Sequence, residues 1–129
     1  MADSMKKILV VDDETDLLRV TAIRLQKKGY EVFEAVDGQE ALNLACQKMP
    51  DLIILDVHLP VMNGDEVVKI FKKDENLKHI PIILTSLTDA VSLEKRFKEC
   101  GADGYFAKSI ETEALFGMIK KYISDATFD

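Results

Sequence analysis

The run Leu52-Ile53-Ile54-Leu55 is apolar without interruption, so a strand formed there has no solvent face and must be covered on both sides. Ile8 to Val11, Pro81 to Leu84 and the short Gly104 to Ala107 segment read the same way. Between these runs the apolar residues recur at helical spacing, first at Leu18, Ala22 and Leu25 within Thr15 to Lys28. Buried strands alternating with helices predict a parallel sheet with right-handed crossovers and helices on both faces.

The intervening residues fill in that plan. Gly29 closes the first helix, and Tyr30 to Val36 mixes Tyr30, Val32, Ala35 and Val36 with acids, as expected of a strand nearer the sheet edge with one polar face. Asp37, three residues before Glu40, has the pattern of an N-cap with a capping-box partner for a helix running to about Lys48, where Pro50 breaks it. A helix from near Gly64 places Val67, Val68, Ile70 and Phe71 inward. Asp89 is positioned to cap a helix from Ala90 to Cys100, with Gly101 as a left-handed stop. A last helix from Glu111 to Ser124 turns Leu115, Met118, Ile119 and Tyr122 inward. Five strands and five helices in 129 residues make one domain over 1–129, with its core at about 6–124.

Composition narrows the function. Hydrophobic residues make up 47% of the chain, enough for a packed core, and no long uncharged apolar run or basic-then-apolar leader is present. A cytoplasmic protein without membrane contact is expected. The formal net charge of -6 argues against direct nucleic-acid binding, which needs a basic patch, and favours protein partners. Cys46 and Cys100 lie in helical segments outside any metal-ligand or redox pattern, and read as structural thiols.

The chemistry sits where the strands stop. Asp12 and Asp13 follow the first apolar run, Asp56 the third, Thr85 the fourth and Lys108 the fifth. In an open parallel sheet the ligand site lies beyond these carboxyl ends. Three carboxylates crowded together repel, and a bound divalent cation with oxygen preference relieves the repulsion. An acceptor carboxylate, a hydroxyl and an ammonium are what magnesium-assisted phosphoryl transfer to a carboxylate requires. Each residue also has a duller explanation. Asp12-Asp13 can be a helix cap, Asp56 a turn former, Thr85 a strand residue and Lys108 a surface charge. His58 stands alone with its side chain expected in solvent, and His79 lies in a polar loop. The five strand-end positions taken together reverse those odds.

Val10-Val11-Asp12-Asp13-Glu14, Asp56 with Pro60 and Gly64, Thr85, Gly101-Ala102-Asp103 with Tyr105, and Lys108 resemble, in order and spacing, the receiver domain of two-component response regulators from Lys6 to about Ser124. The resemblance implies a flavodoxin-like doubly wound five-stranded parallel sheet in the order 2-1-3-4-5 with five helices. It implies that Asp56 takes a phosphoryl group from a sensor histidine kinase or histidine phosphotransfer protein, with Lys108 and Thr85 in catalytic roles. Magnesium, or manganese in its place, would be held by Asp13, Asp56 and the backbone carbonyl of His58, with Asp12 acting through water. Thr85 and Tyr105 would move together as a switch, remodelling the face of the fourth helix, fifth strand and fifth helix toward an effector or second receiver. His58 and Leu87 occupy the positions that tune dephosphorylation, and a bulky Leu87 implies a long-lived acyl phosphate. The family's lysine is normally followed by proline, whereas this chain has Ser109, so a trans Lys108-Ser109 peptide is expected.

Three other activities compete. A haloacid-dehalogenase-like phosphatase also uses an aspartate after a parallel strand, but needs a second acid where His58 stands. A flavodoxin-like electron carrier needs a phosphate loop where Asp12-Asp13-Glu14 would repel phosphate. An EF-hand calcium loop lacks its glycine between Asp12 and Asp16.

Overall fold

Alternate residues of each central strand face opposite ways, and both faces are apolar, so the sheet carries helices on each side. A computed structural model, describing residues 5–87, 90–108 and 112–123, has this architecture. Its elements are β1 (Lys7–Val11), α1 (Thr15–Lys27), β2 (Glu31–Ala35), α2 (Gly38–Lys48), β3 (Leu52–Asp56), α3 (Gly64–Lys73), β4 (Ile82–Ser86), α4 (Ala90–Cys100), β5 (Gly104–Ala107) and α5 (Thr112–Tyr122). The strands are all parallel in the order β2-β1-β3-β4-β5.

Two cores follow from the period-two alternation. Leu9, Val11, Ile53, Leu55, Ile82 and Leu84 pack with residues of α2, α3 and α4, including Ala45, Phe71 and Leu93. Ile8, Val10, Ile54, Ile83 and Phe106 pack on the other side with Leu18 and Leu25 of α1 and Leu115, Phe116 and Ile119 of α5. All five residues of β3 and of β4 are buried, which fixes these strands at the sheet centre.

Several local expectations need correction. Ile70 is exposed, because at 3.6 residues per turn it lies about 110° from the centre of the stripe Gly64, Val67, Val68 and Phe71. On α5 the buried stripe includes Phe116, while Met118 and Tyr122 lie at its border. Tyr122 reaches out instead to donate its hydroxyl proton to Asp103 O at 2.9 Å. Asp37 caps α2 by accepting from Glu40 N at 2.8 Å, but Glu40 reaches past it to accept from Val36 N at 2.8 Å, so the reciprocal box is not formed. The edge strand β2 is half-buried through Val32, Phe33 and Glu34 rather than cleanly two-faced. Cys46 is exposed and has no packing role, whereas Cys100 is buried and burial pushes its thiol pKa up, the state of an inert structural thiol. The Asp89 cap, the Lys108-Ser109 peptide and the expected ends of the last helix at Glu111 and Ser124 lie outside the described residues.

Two glycines are required for different reasons. A Cβ at Gly64 would lie 2.1 Å from Asp56 O, since the chain after β3 folds back directly onto that strand. Gly101 ends α4 with φ +90°, in open space. Gly64→Ala should therefore lose about 3 kcal/mol by forcing backbone apart, and Gly101→Ala only about 1 kcal/mol through strain. Urea midpoints of the two variants measure the difference, and similar losses would contradict this packing.

Candidate functional site

Parallel register assembles the site. Asp56 is the last residue of β3 and pairs with Thr85 of β4, while Val57 N donates to Thr85 O at 2.9 Å. Lys108 follows β5, and its N–H donates to Ser86 O at 2.9 Å, extending the β4–β5 ladder one residue past the strand. Asp12 follows β1 and donates its N–H to Ala35 O at 3.0 Å. Backbone pairing thus brings the ends of four strands to one edge.

The side chains converge there. Lys108 Nζ donates to Asp12 Oδ2 at 2.6 Å and to Asp56 Oδ2 at 3.1 Å. Both acids are buried, each about 5% exposed, and Asp13 is exposed. The remaining oxygens have backbone donors: Glu14 N reaches Asp12 Oδ1 at 3.0 Å, and His58 N reaches Asp56 Oδ1 at 3.2 Å. Position Glu14, not Asp12 or Asp13, is the N-cap of α1, and it makes no side-chain cap bond. The helix-cap explanation for the acid pair therefore falls away.

One ammonium faces three carboxylates. Burial pushes the Asp56 carboxyl above its ordinary 3.8, against the charge and hydrogen bond of Lys108 and the His58 N–H, and the charge of Asp12 adds to the rise. Burial alone would lower Lys108, but the Asp12 hydrogen bond and the charges of Asp56 and Asp12 outweigh it and raise the net value. Ligand atoms of Asp12, Asp13 and Asp56 all lie within 4.8 Å of one another. Oxygens sharing one magnesium ion span up to about 4.2 Å, twice its 2.0–2.1 Å bond length, so the three acids are close enough to surround one ion, directly or through water. The donor set is all oxygen and two formal charges short of neutral, which fits a hard divalent cation.

The other predicted residues surround this cluster. Thr85 is buried, and among the described residues its hydroxyl makes one long bond, 3.5 Å to Leu55 O. A cavity of about 260 Å³ between α1 and α5 opens beside Asp12, Thr85, Leu87 and Lys108. His58 is exposed, as expected, and Leu87 is exposed on the loop after β4. Tyr105 is not at the acidic edge; it is half-buried against Phe97 of α4, with ring centroids 5.0 Å apart. His79 lines a separate cleft with Cys46 at the opposite edge of the sheet. Ser86, whose carbonyl anchors Lys108, was not singled out from sequence, because a backbone contact leaves no mark in residue type.

The family model of the response regulator receiver domain matches residues 8–120, and this chain belongs to that family. It is 35% identical over 121 residues to the polar-differentiation response regulator DivK of Brucella ovis, covering 94% of this chain and 98% of that protein. The chemotaxis protein CheY4 of Vibrio cholerae superposes with a TM-score of 0.86 at 34% identity, covering 93% of this chain and all of that one. The receiver domain of the sensor histidine kinase PA1611 of Pseudomonas aeruginosa, solved with a magnesium ion in its active-site cleft, gives a TM-score of 0.85 at 25% identity over 95% of this chain and 100% of that chain. The chain is thus a phosphoacceptor signalling domain and not a turnover enzyme, and the phosphatase alternative has no support. Receiver domains bind magnesium in an acidic pocket and work with histidine kinases or phosphotransfer proteins. Among the described residues no helix is long and apolar enough to cross a membrane.

A carboxyl with a raised folded-state pKa makes the fold most stable while protonated, and that contribution is lost as pH rises through the raised value. Asp56→Asn removes the loss. In the presence of a chelator the variant should unfold at higher urea than the unaltered chain at neutral pH, with its advantage shrinking as the pH falls toward the ordinary 3.8. An advantage that grows on acidification would contradict the assignment of burial as the dominant influence.

Proposed function

We propose that Asp56 is the residue that receives the phosphoryl group, within a receiver unit spanning about 6–124. The observation that carries this reading is the bridge of Lys108 Nζ to both Asp12 and Asp56, which holds a buried carboxylate at an open sheet edge beside a cation-ready acid cluster. An oxygen of Asp56 attacks the donor phosphorus as the donor's P–N or P–O bond breaks, and the electron pair leaves with the donor. Lys108 releases its hold on the carboxylate charge and binds a phosphoryl oxygen as a point charge. The charge at Asp56 grows from one to roughly two, and the Thr85 hydroxyl, whose bond to Leu55 O is long, turns to donate to another phosphoryl oxygen.

Asp13, Asp56 and the His58 carbonyl would hold magnesium or manganese, with Asp12 contributing through water. When bound, the cation supplies neutralising charge and an orienting template for the phosphoryl oxygens. Movement of Thr85 is passed through β4 to α4, and the Tyr105 ring on Phe97 reports it on the face of α4, β5 and α5. That face would engage an effector protein or second receiver. A sensor histidine kinase or phosphotransfer protein in the cytoplasm is the donor. His58 and Leu87 border the route of a hydrolytic water, and the apolar Leu87 slows it.

Acetyl phosphate with magnesium should label the chain to at most one phosphate, while a phosphate ester is not turned over. Chelation or Asp56→Asn should abolish the label, and in a chase the label should decay faster in Leu87→Glu than in the unaltered chain. Many equivalents of ester hydrolysed would overturn the reading, and equal decay would remove the role of Leu87.

A further inference from the structure

The loop after β3 is fastened at both ends. His58 N donates to Asp56 Oδ1 at 3.2 Å, and Gly64 N donates to Val57 O at 2.7 Å, with no room for a side chain at Gly64. The chain must leave and return between these points, and Val61 stands at the reversal. There Met62 N donates to Pro60 O at 2.7 Å across a single residue whose φ is +70°. This is a γ-turn of the rare and strained hand. Among the described residues one other non-glycine has positive φ, Met49, which caps α2 by donating its N–H to Ala45 O. Val61 has no such duty, and its β-branch makes it one of the residue types least suited to the conformation.

The turn lets Leu59 be buried and Met62 pack against the core on either side of it, but the Val61 side chain takes no part in that packing. Val61 is 106% exposed, the most exposed large apolar residue described, so its side chain packs against none of the described residues. Glycine or asparagine would hold the same turn at lower cost. A lone exposed valine is ordinary, but one held out on a strained turn beside a reactive carboxylate is not. Residues held in sparsely populated backbone conformations cluster at active sites and where a chain clamps ligands. Whatever brings a phosphohistidine to Asp56 must also bring a protein surface over this edge, where Leu87 is a second exposed apolar group on the neighbouring loop.

We propose that Val61 is a specificity-determining contact for the phosphodonor protein, its exposed side chain packing on an apolar patch beside the donor's phosphohistidine. The proposal rests on the reading of Asp56 as acceptor. A small donor such as acetyl phosphate presents no patch and reaches Asp56 without touching Val61.

The test compares two donors on the full chain: acetyl phosphate, and an autophosphorylated histidine-kinase transmitter domain chosen because it labels the unaltered chain. Val61→Asn should lower kcat/KM for transfer from the transmitter domain about tenfold, the effect of one buried apolar side chain, while labelling by acetyl phosphate is unchanged. Val61→Ile, which keeps a branched apolar tip, should retain transfer. The melting temperature of Val61→Asn should rise by about 3 °C as the turn relaxes. Unchanged transfer from the transmitter domain, an equal loss with both donors, or a lower melting temperature would overturn the proposal. Failure of acetyl phosphate to label even the unaltered chain would instead sink the acceptor reading, and this proposal with it.

Discussion

The ammonium of Lys108 holds together two acids that come from strands far apart in the sequence, Asp12 after β1 and Asp56 at the end of β3. Both acids and the lysine are largely withdrawn from water, where an unpaired charge costs several kcal/mol. The bridge is geometrically determined because each member is fixed by backbone pairing: Asp56 opposite Thr85, and Lys108 hanging from the Ser86 carbonyl. It is also incomplete. One positive charge cannot satisfy three carboxylates, and the leftover negative potential fits the divalent cation that receiver domains bind in this pocket.

The two edges of the sheet differ in kind. At the amino-terminal edge, Asp103 accepts from Ile82 N and from Lys72 Nζ at 2.8 Å each, Lys72 also donates to Ile80 O at 3.0 Å, and Tyr122 donates to Asp103 O. Three elements, α3, β4 and α5, are tied there to the residue that precedes β5 by complementary donors and acceptors. At the carboxyl edge, the Thr85 hydroxyl has a 3.5 Å bond and stands beside a cavity of about 260 Å³. Such slack suits the change of partners proposed for Thr85, and the tied opposite edge contrasts with it.

Much of this was legible in the chain. Uninterrupted apolar runs ending in Asp12, Asp56, Thr85 and Lys108 announce buried parallel strands and what their ends carry, because period and burial are written in residue type. Phase within a helix is less legible. Ile70 lies outside its helix's buried stripe and Tyr122 at the border of its own, and packed neighbours, more than residue type, make that choice. Glu40 pairing with Val36 N depends on local backbone direction, and the exposure of Cys46 on the absence of a covering element. The strained turn at Val61 has no sequence signal at all, since valine is the residue that a positive φ argues against.

Phosphoryl transfer to this edge must single out one carboxylate among three. Borohydride reduces an acyl phosphate to an alcohol, so treating the acetyl-phosphate-labelled chain and sequencing its peptides by mass spectrometry marks the reacted position. Homoserine at position 56, and nowhere else, is the expected result. Reduction at Asp12 or Asp13, or at no aspartate, would contradict the role given to Asp56.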